Sequence, residues 1–413
     1  MIKKTIKKIN FIESFIWLVL IVSAFTTSYL PIFQTPIGLM YLYRLALPLA
    51  LVYYLIKAKA LKGYAIKITL ICFLALLGYG ALSIIWAREP MQAVRTLLNY
   101  VYSIMAILVL CLACKNRKSL ERIILVLWVV LVAIAIMGLY ESLNGHLFQT
   151  IEEDVWVSSV FGMYPPILFF TNQNDFALLL VLFLPLIIAY ASKRKIVFKI
   201  FALITTVLLV ANIIFSNSRL ALILLALYVY LWLWFKAKKM AIVLGLIGIV
   251  IAIINIGSII TFLGLGPYGD IVQNYRLVIW LNGLIALVNS FGFGVGAGNY
   301  TAVTGYAPHF WLIELLVEYG IIIFVIIMLW WVYSIKRLYA NKSKDSYKTA
   351  FLMGLITMPL WSMMAAIMSA TPFVWIYFGL MIAFVSLPIK KTFVLKQTKI
   401  KIALNKGTLS LLK

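Results

Sequence analysis

Charge is scarce in this chain, and negative charge is scarcest. Of 413 residues only 12% are charged, with 12 acidic side chains against 36 basic ones, while 65% are hydrophobic. Soluble domains carry roughly a quarter charged residues, so a soluble globule is excluded. No cluster of carboxylates is present to hold a metal, and there are two histidines in all. Cysteine is thin too: Cys72, Cys111 and Cys114 all lie in or beside apolar runs. Cys111 and Cys114 form a C-x-x-C without the strand setting of a redox site or the second pair of a zinc site. Buried thiols are expected. Strict alternation of apolar and polar residues is missing, which excludes a membrane β-barrel.

What is present in abundance is the long apolar run. Each is about 20 residues, enough to cross a hydrocarbon core as a helix. Twelve candidate spans follow, at about 11–30, 38–56, 66–86, 96–114, 120–140, 172–191, 197–215, 219–235, 240–262, 309–333, 349–367 and 371–388. The expectation is an all-α polytopic membrane protein forming one domain over 1–413. The opening run resembles a signal peptide but is long and lacks a convincing cleavage site, so it is expected to be retained as the first span.

The net charge of +24 comes in short clusters between apolar runs. That is the pattern of orientation in an anionic inner leaflet, and it argues against nucleic acid as a partner. With Lys3, Lys4, Lys7 and Lys8 inside, every second connection is cytoplasmic. Lys57–Lys62, Lys115–Arg122, Lys193–Lys199, Lys236–Lys239, Lys336–Lys348 and the tail from Lys390 then all fall inside, and no lysine is left outside. Glu141, Glu152, Glu153, Asp154 and Asp270 fall outside. A multi-pass protein of the cytoplasmic membrane with both termini cytoplasmic is expected. Its two long external connections are 141–171 and 263–308, and "DIVQNYRLVIWLNGLIALVNS" in the second reads as an interfacial helix.

The polar residues on the outer side are of particular kinds. Arg219, in "FSNSRLAL", opens a span from outside. Arg276 lies in the long loop one turn before Trp280, and His309 begins the next span. Asn172, Asn174 and Asp175 in "TNQNDFALLL" stand at another outer end, while Arg88 and Arg95 lie in a third connection. Arginine without lysine suits phosphate, because the guanidinium fork binds two oxygens at once and stays charged when partly desolvated. Histidine suits proton abstraction from a hydroxyl near neutral pH. Such a set fits transfer of a glycan from a lipid-linked diphosphate, with membrane lipids around it. Plainer roles remain open: Arg219 snorkelling to headgroups, Arg276 as an interfacial anchor, His309 as a structural residue, Asp175 as a helix-terminus charge. Glu314 and Glu318, one turn apart in a span, should face protein. In "SFGFGVGAGNY", Gly296 and Gly298 belong either to a flexible turn or to a loop offering bare N–H groups to a diphosphate.

These pieces resemble, in order, the O-antigen ligase and polysaccharide polymerase superfamily of bacterial membrane enzymes. "NQNDFALLL" is similar to its N-x-N-D segment, "SNSRLALIL" to its S-x-S-R stretch and "NYRLVIWLNGL" to its R-x-x-x-W segment. "GFGVGAGNY" with "PHFWLIELLVEYGII" is similar to its G-x-G-x-x-x-Y and H…E-x-G stretch. The motifs span 170–335. The chain departs from the family at Phe310, where asparagine often follows the histidine, and at Ile323, where glycine is common. The resemblance implies a membrane glycosyltransferase fold of the GT-C type and an inverting, metal-independent transfer with no cofactor. The donor would be an undecaprenyl-diphosphate-linked glycan, and the acceptor a glycan or lipid-linked hydroxyl. It implies diphosphate binding by Arg219 and Arg276 and acceptor activation by His309. Asn172, Asn174, Asp175, Trp280, Gly296, Gly298 and Glu318 would complete the substrate site. The competing expectation is a multi-span transporter or flippase of lipid-linked sugars, which calls for ionisable groups at depth, such as Arg44, Glu314 and Glu318, in interrupted helices.

Overall fold

In lipid every backbone polar group must be satisfied within the protein, so long apolar runs fold as helices. A computed structural model describes residues 2–26, 31–35, 38–57, 63–145, 163–170, 172–255, 257, 271–340, 345–365 and 367–387. Its helices are α1 (Ile2–Phe25), α2 (Leu42–Lys57), α3 (Tyr64–Ser83), α4 (Pro90–Ala113) and α5 (Arg117–Asn144), then α6 (Gln173–Ala191), α7 (Ile196–Phe215), α8 (Arg219–Lys236) and α9 (Lys238–Ile254). After these come α10 (Ile271–Asn289), α11 (Tyr300–Thr304), α12 (Trp311–Ala340), α13 (Ser346–Ile356), α14 (Met358–Trp361) and α15 (Pro372–Ser386). Seven helices among the described residues are long and apolar enough to cross a membrane: α3 to α8 and α12. The protein is a multi-pass helical membrane protein. The remaining five expected spans carry shorter or interrupted helices.

Three of those five depart from the expected boundaries for visible reasons. Gly38–Tyr41 is strand β2, paired antiparallel with β1 (Pro31–Thr35), so an all-α description omits one small hairpin. In the run at 240–262, α9 ends at Ile254, and 256 and 258–262 lie outside the described residues. The run at 349–367 breaks at Thr357, because Pro359 cannot continue the backbone ladder of the preceding turn.

Packing is centred on α6, where every residue from Asp175 to Ala191 except Ile188 is buried, while α15 lies along α4. The outer faces of α7 and α9 expose Phe201, Leu203, Val207, Ile249 and Ile253, as helices bordering lipid do. At the lysine-rich end an ionic network ties α5 to α1, to the cap of α13 and to the connection between α6 and α7. Asp345 caps α13 through Tyr347 N and receives the Arg117 guanidinium, whose Nη2 lies 3.0 Å from Oδ1. Glu121 accepts from Arg117 at 2.9 Å and Arg194 at 2.6 Å, and Glu13 accepts from Arg122 at 2.9 Å. Burial works to raise the Asp345 carboxyl, but Arg117 outweighs it and holds the group below the ordinary carboxylate value.

The helix that follows His309 is broken. Gly320 has φ 72° and ψ 178° inside α12, which leaves the carbonyls of Val317 and Glu318 without helical partners. The glycine loop supplies them: Val295 N donates to Val317 O at 2.9 Å, Gly296 N to Glu318 O at 3.0 Å, and Ile321 N to Gly292 O at 3.0 Å. Two backbones meet here with no room for a side chain. A Cβ on Gly320 would lie 2.5 Å from both Gly292 O and Phe293 O. Gly320→Ala should therefore lower stability by roughly 1–3 kcal/mol for the forced backbone and a similar amount for overpacking. Thermal melting of the purified protein checks this against Gly78→Ala, whose added methyl meets nothing within 4 Å and should be neutral or mildly stabilising.

Candidate functional site

At the end opposite the ionic network, the connection after α3 is pinned to the glycine loop. Trp86 Nε1 donates to Gly294 O at 3.1 Å, Arg88 Nη1 to Ala302 O at 2.8 Å, and Glu89 N to Asn299 Oδ1 at 2.6 Å. This platform receives α10, whose Ile279 and Leu287 pack with Tyr300 and Val317. Tyr300 Oη donates to Ile279 O at 2.8 Å.

The docking of α10 places two of the expected residues together. Trp280 donates its indole N–H to Pro308 O at 2.8 Å, and its ring lies 5.3 Å from that of Phe310. His309 is thereby held from both sides, in a left-handed backbone conformation with φ 47°. Such a conformation is uncommon outside glycine and persists where neighbours over-determine it. Both Arg276 and His309 are half-buried. Burial pulls the Arg276 guanidinium below its ordinary value. The imidazole is lowered from its ordinary 6.5, first by burial and then by the positive charge of Arg276. At neutral pH His309 is an uncharged base beside a guanidinium.

A second group forms where α6 and α8 begin. Asn172 caps α6, accepting from Asn174 N at 2.8 Å and Asp175 N at 3.0 Å, and donates to Asp175 Oδ2 at 2.9 Å. Asn174 Oδ1 accepts from Ser218 Oγ at 2.8 Å, locking the two helix starts together. Asn217 has φ 51°, so the S-N-S-R turn is tight and α8 begins at once with Arg219. A cation there opposes the helix dipole, whose N-terminus favours negative charge. An anion at this point would be favoured by both. Arg219 is exposed.

The two groups are connected through backbone. Trp311 N, two residues beyond His309, donates to Ser362 O at 3.1 Å, and Ser362 follows α14, which packs on α8.

Glu318, Gly296 and Gly298 stand apart from both. The Glu318 carboxylate is buried and accepts from Gly298 N at 2.8 Å and Tyr300 N at 3.2 Å. Gly296 N is spent on Glu318 O, and Ala297 N donates to Ser83 Oγ at 3.0 Å. The expectation of bare amides for a diphosphate is thus corrected: they fasten the loop to α12. Glu318 positions the loop that carries α11 and supports α10. Glu141, expected in an external connection, is fully buried and accepts from Ile167 N and Leu168 N at 2.8 Å each. Glu152, Glu153, Asp154 and Asp270 lie outside the described residues.

One feature escaped the motif reading. A cavity of about 360 Å³ at this end is lined by Asp175 together with Tyr41, Arg44, Asn99 and Tyr102, and by none of Arg219, Arg276 or His309. A lone polar residue in each of two apolar runs, "LYRLAL" and "TLLNYVYS", was the available signal.

No family model matches the chain. It is similar to the teichuronic acid biosynthesis protein TuaE of Bacillus subtilis (strain 168), with 24% identity over 361 residues, 78% of this chain and 72% of that protein.

Proposed function

We propose that the protein transfers a glycan from undecaprenyl diphosphate to an acceptor hydroxyl at the outer face of the cytoplasmic membrane, in cell-surface polysaccharide assembly. It would be a metal-independent, inverting glycosyltransferase of GT-C type with twelve spans, both termini cytoplasmic. Arg219 and Arg276 bind the diphosphate and stabilise the charge that grows on it as it leaves. His309 takes the proton of the acceptor hydroxyl while its oxygen attacks the anomeric carbon from the opposite side. The new glycosidic bond forms as the old carbon–oxygen bond breaks, and its electron pair departs with the lipid diphosphate.

The observation that carries this reading is the pairing of a partly desolvated guanidinium with an uncharged imidazole, held in strained backbone by Trp280 and its partners. A partly desolvated cation is favoured by a neighbouring anion, and a neutral imidazole is the form that accepts a proton. The similarity to TuaE supports a place in polysaccharide biosynthesis. The transport reading gains little from the broken helix, because the loop bonds at Gly320 close the break with backbone.

This reaction takes two forms, polymerisation and ligation. Deleting the gene separates them. Single repeats still attached to their final acceptor mark a polymerase, whereas long unattached chains on the lipid mark a ligase. Normal surface polysaccharide after deletion would sink both.

A further inference from the structure

We propose that the cavity beside Asp175 is a saccharide subsite, which holds a sugar ring of the glycan next to the reacting diphosphate. The inference rests on the transfer reading and adds what that reading leaves open, namely where the sugar is gripped.

The lining matches the chemistry of a pyranose. Elements far apart in the chain contribute: Tyr41 from strand β2, Arg44 from α2, Asn99 and Tyr102 from α4, and Asp175 from α6, with Trp375 of α15 closing the wall. Arg44 is set in place by Asn99, whose Oδ1 accepts from Nη2 at 2.8 Å, and by the rings of Tyr41 and Tyr102 at 5.3 and 5.7 Å. Sugar hydroxyls both donate and accept, so a site for them needs both kinds of group. Arg44 is a pure donor, the carboxyl oxygens of Asp175 supply acceptors, and Asn99 offers both. The aromatic rings provide flat apolar surface for the C–H face of the ring, as ligand pockets generally combine apolar walls with a few polar anchors.

Other ligands fit less well. A diphosphate would meet the Asp175 carboxylate, and a polyprenyl tail would meet three polar side chains. At about 360 Å³ the cavity lies near the lower end of the roughly 300–1,000 Å³ found for ligand pockets, room for a short saccharide.

Its location relates it to both halves of the candidate site. Asp175 adjoins Asn174, which bonds Ser218 beside Arg219. On the other wall, Met368, beside the lining residues Ile367 and Ser369, donates its backbone N–H to Glu314, in the first turn of the helix that follows His309. The cavity wall is thus tied through Asn174 and Ser218 to the turn that carries Arg219, and through Met368 and Glu314 to the helix that follows His309.

The test uses the full chain in lipid nanodiscs with two probes. One is the free oligosaccharide obtained by mild acid cleavage of the host's surface polysaccharide; the other is undecaprenyl diphosphate without sugar. Wild-type protein should bind both. Arg44→Gln and Asn99→Ala should each weaken oligosaccharide binding about tenfold, the cost of a lost hydrogen bond to a charged group, and leave undecaprenyl diphosphate binding unchanged. Retained diphosphate binding also shows that a variant is folded; should Arg44→Gln melt early, the milder Asn99→Ala decides. In the transfer assay, a KM raised for the lipid-linked donor alone assigns the donor's sugar to the cavity, and one raised for the acceptor alone assigns the acceptor's. The subsite is overturned if wild type does not bind the oligosaccharide, or if the folded variants bind it as wild type does. Diphosphate binding that survives this failure and is lost in Arg219→Ala leaves the transfer reading intact. Oligosaccharide bound without any diphosphate affinity would instead retain the subsite and remove that reading.

Discussion

Replacing Arg219 or Arg276 with alanine should cut the rate of glycan transfer by about 10²–10³-fold each, the loss typical when one donor to developing negative charge is removed from a preorganised site. The variants should still be inserted and folded, and Arg219 makes that point sharply. It is exposed and begins α8 at the helix end where a cation is disfavoured. Were it a structural residue, its loss would show in stability. As a ligand for phosphate, its removal should cost far more in turnover than in melting temperature. Arg276 is different, being half-buried on the face of α10 that docks against Pro308 and Phe310. There a lysine keeps the charge but loses the fork that engages two oxygens and pays more for desolvation. Arg276→Lys should accordingly be almost as damaging as Arg276→Ala. Purified protein with lipid-linked glycan provides the measurement. Full turnover by both alanine variants would remove the diphosphate clamp from the mechanism.

The parts of this protein that were legible in its sequence are those set by local chemistry. Lysine clusters between apolar runs mark the connections, and the ionic network gathers several of them at one end, from Lys57 and Arg122 to Lys193 and Asp345. Asp175 is open in sequence to a helix-terminus role, and it stands in the first turn of α6, which Asn172 caps. The R-x-x-x-W spacing of Arg276 and Trp280 reads as one face of a helix, and α10 is that helix. What was not legible depends on partners distant in sequence. Gly320 looks like any glycine in an apolar span, and only the approach of Gly292 and Phe293 shows why the helix must break there. The glycine loop is open to both a turn and an anion-cradle reading because the sequence does not show the partners of its N–H groups. Those partners are the Glu318 carboxylate and carbonyls freed by that same break. The cavity draws on elements far apart in the chain, and no single stretch announces it.

The second large effect concerns His309. His309→Ala should lower turnover by about 10²–10⁴-fold, the usual contribution of a positioned general base, with a much smaller loss in donor binding. The pH dependence is the more specific expectation. The imidazole of the free enzyme is lowered from 6.5 by burial and by Arg276. A base works unprotonated, so kcat/KM should be flat at neutral pH and fall only as the medium becomes more acidic than the ordinary histidine value. Removing the neighbouring cation in Arg276→Gln takes away one of the two causes. The acid limb of its residual activity should then move to higher pH, toward 6.5, whereas Arg276→Lys should leave the limb in place because the charge remains. Bound diphosphate acts with the opposite sign: its negative charge favours the imidazolium, so the acid limb of kcat should lie at higher pH than that of kcat/KM. A structural histidine would give neither shift. If the limb stays fixed in Arg276→Gln, the two side chains are not electrostatically coupled in the working enzyme, and the base must be sought elsewhere.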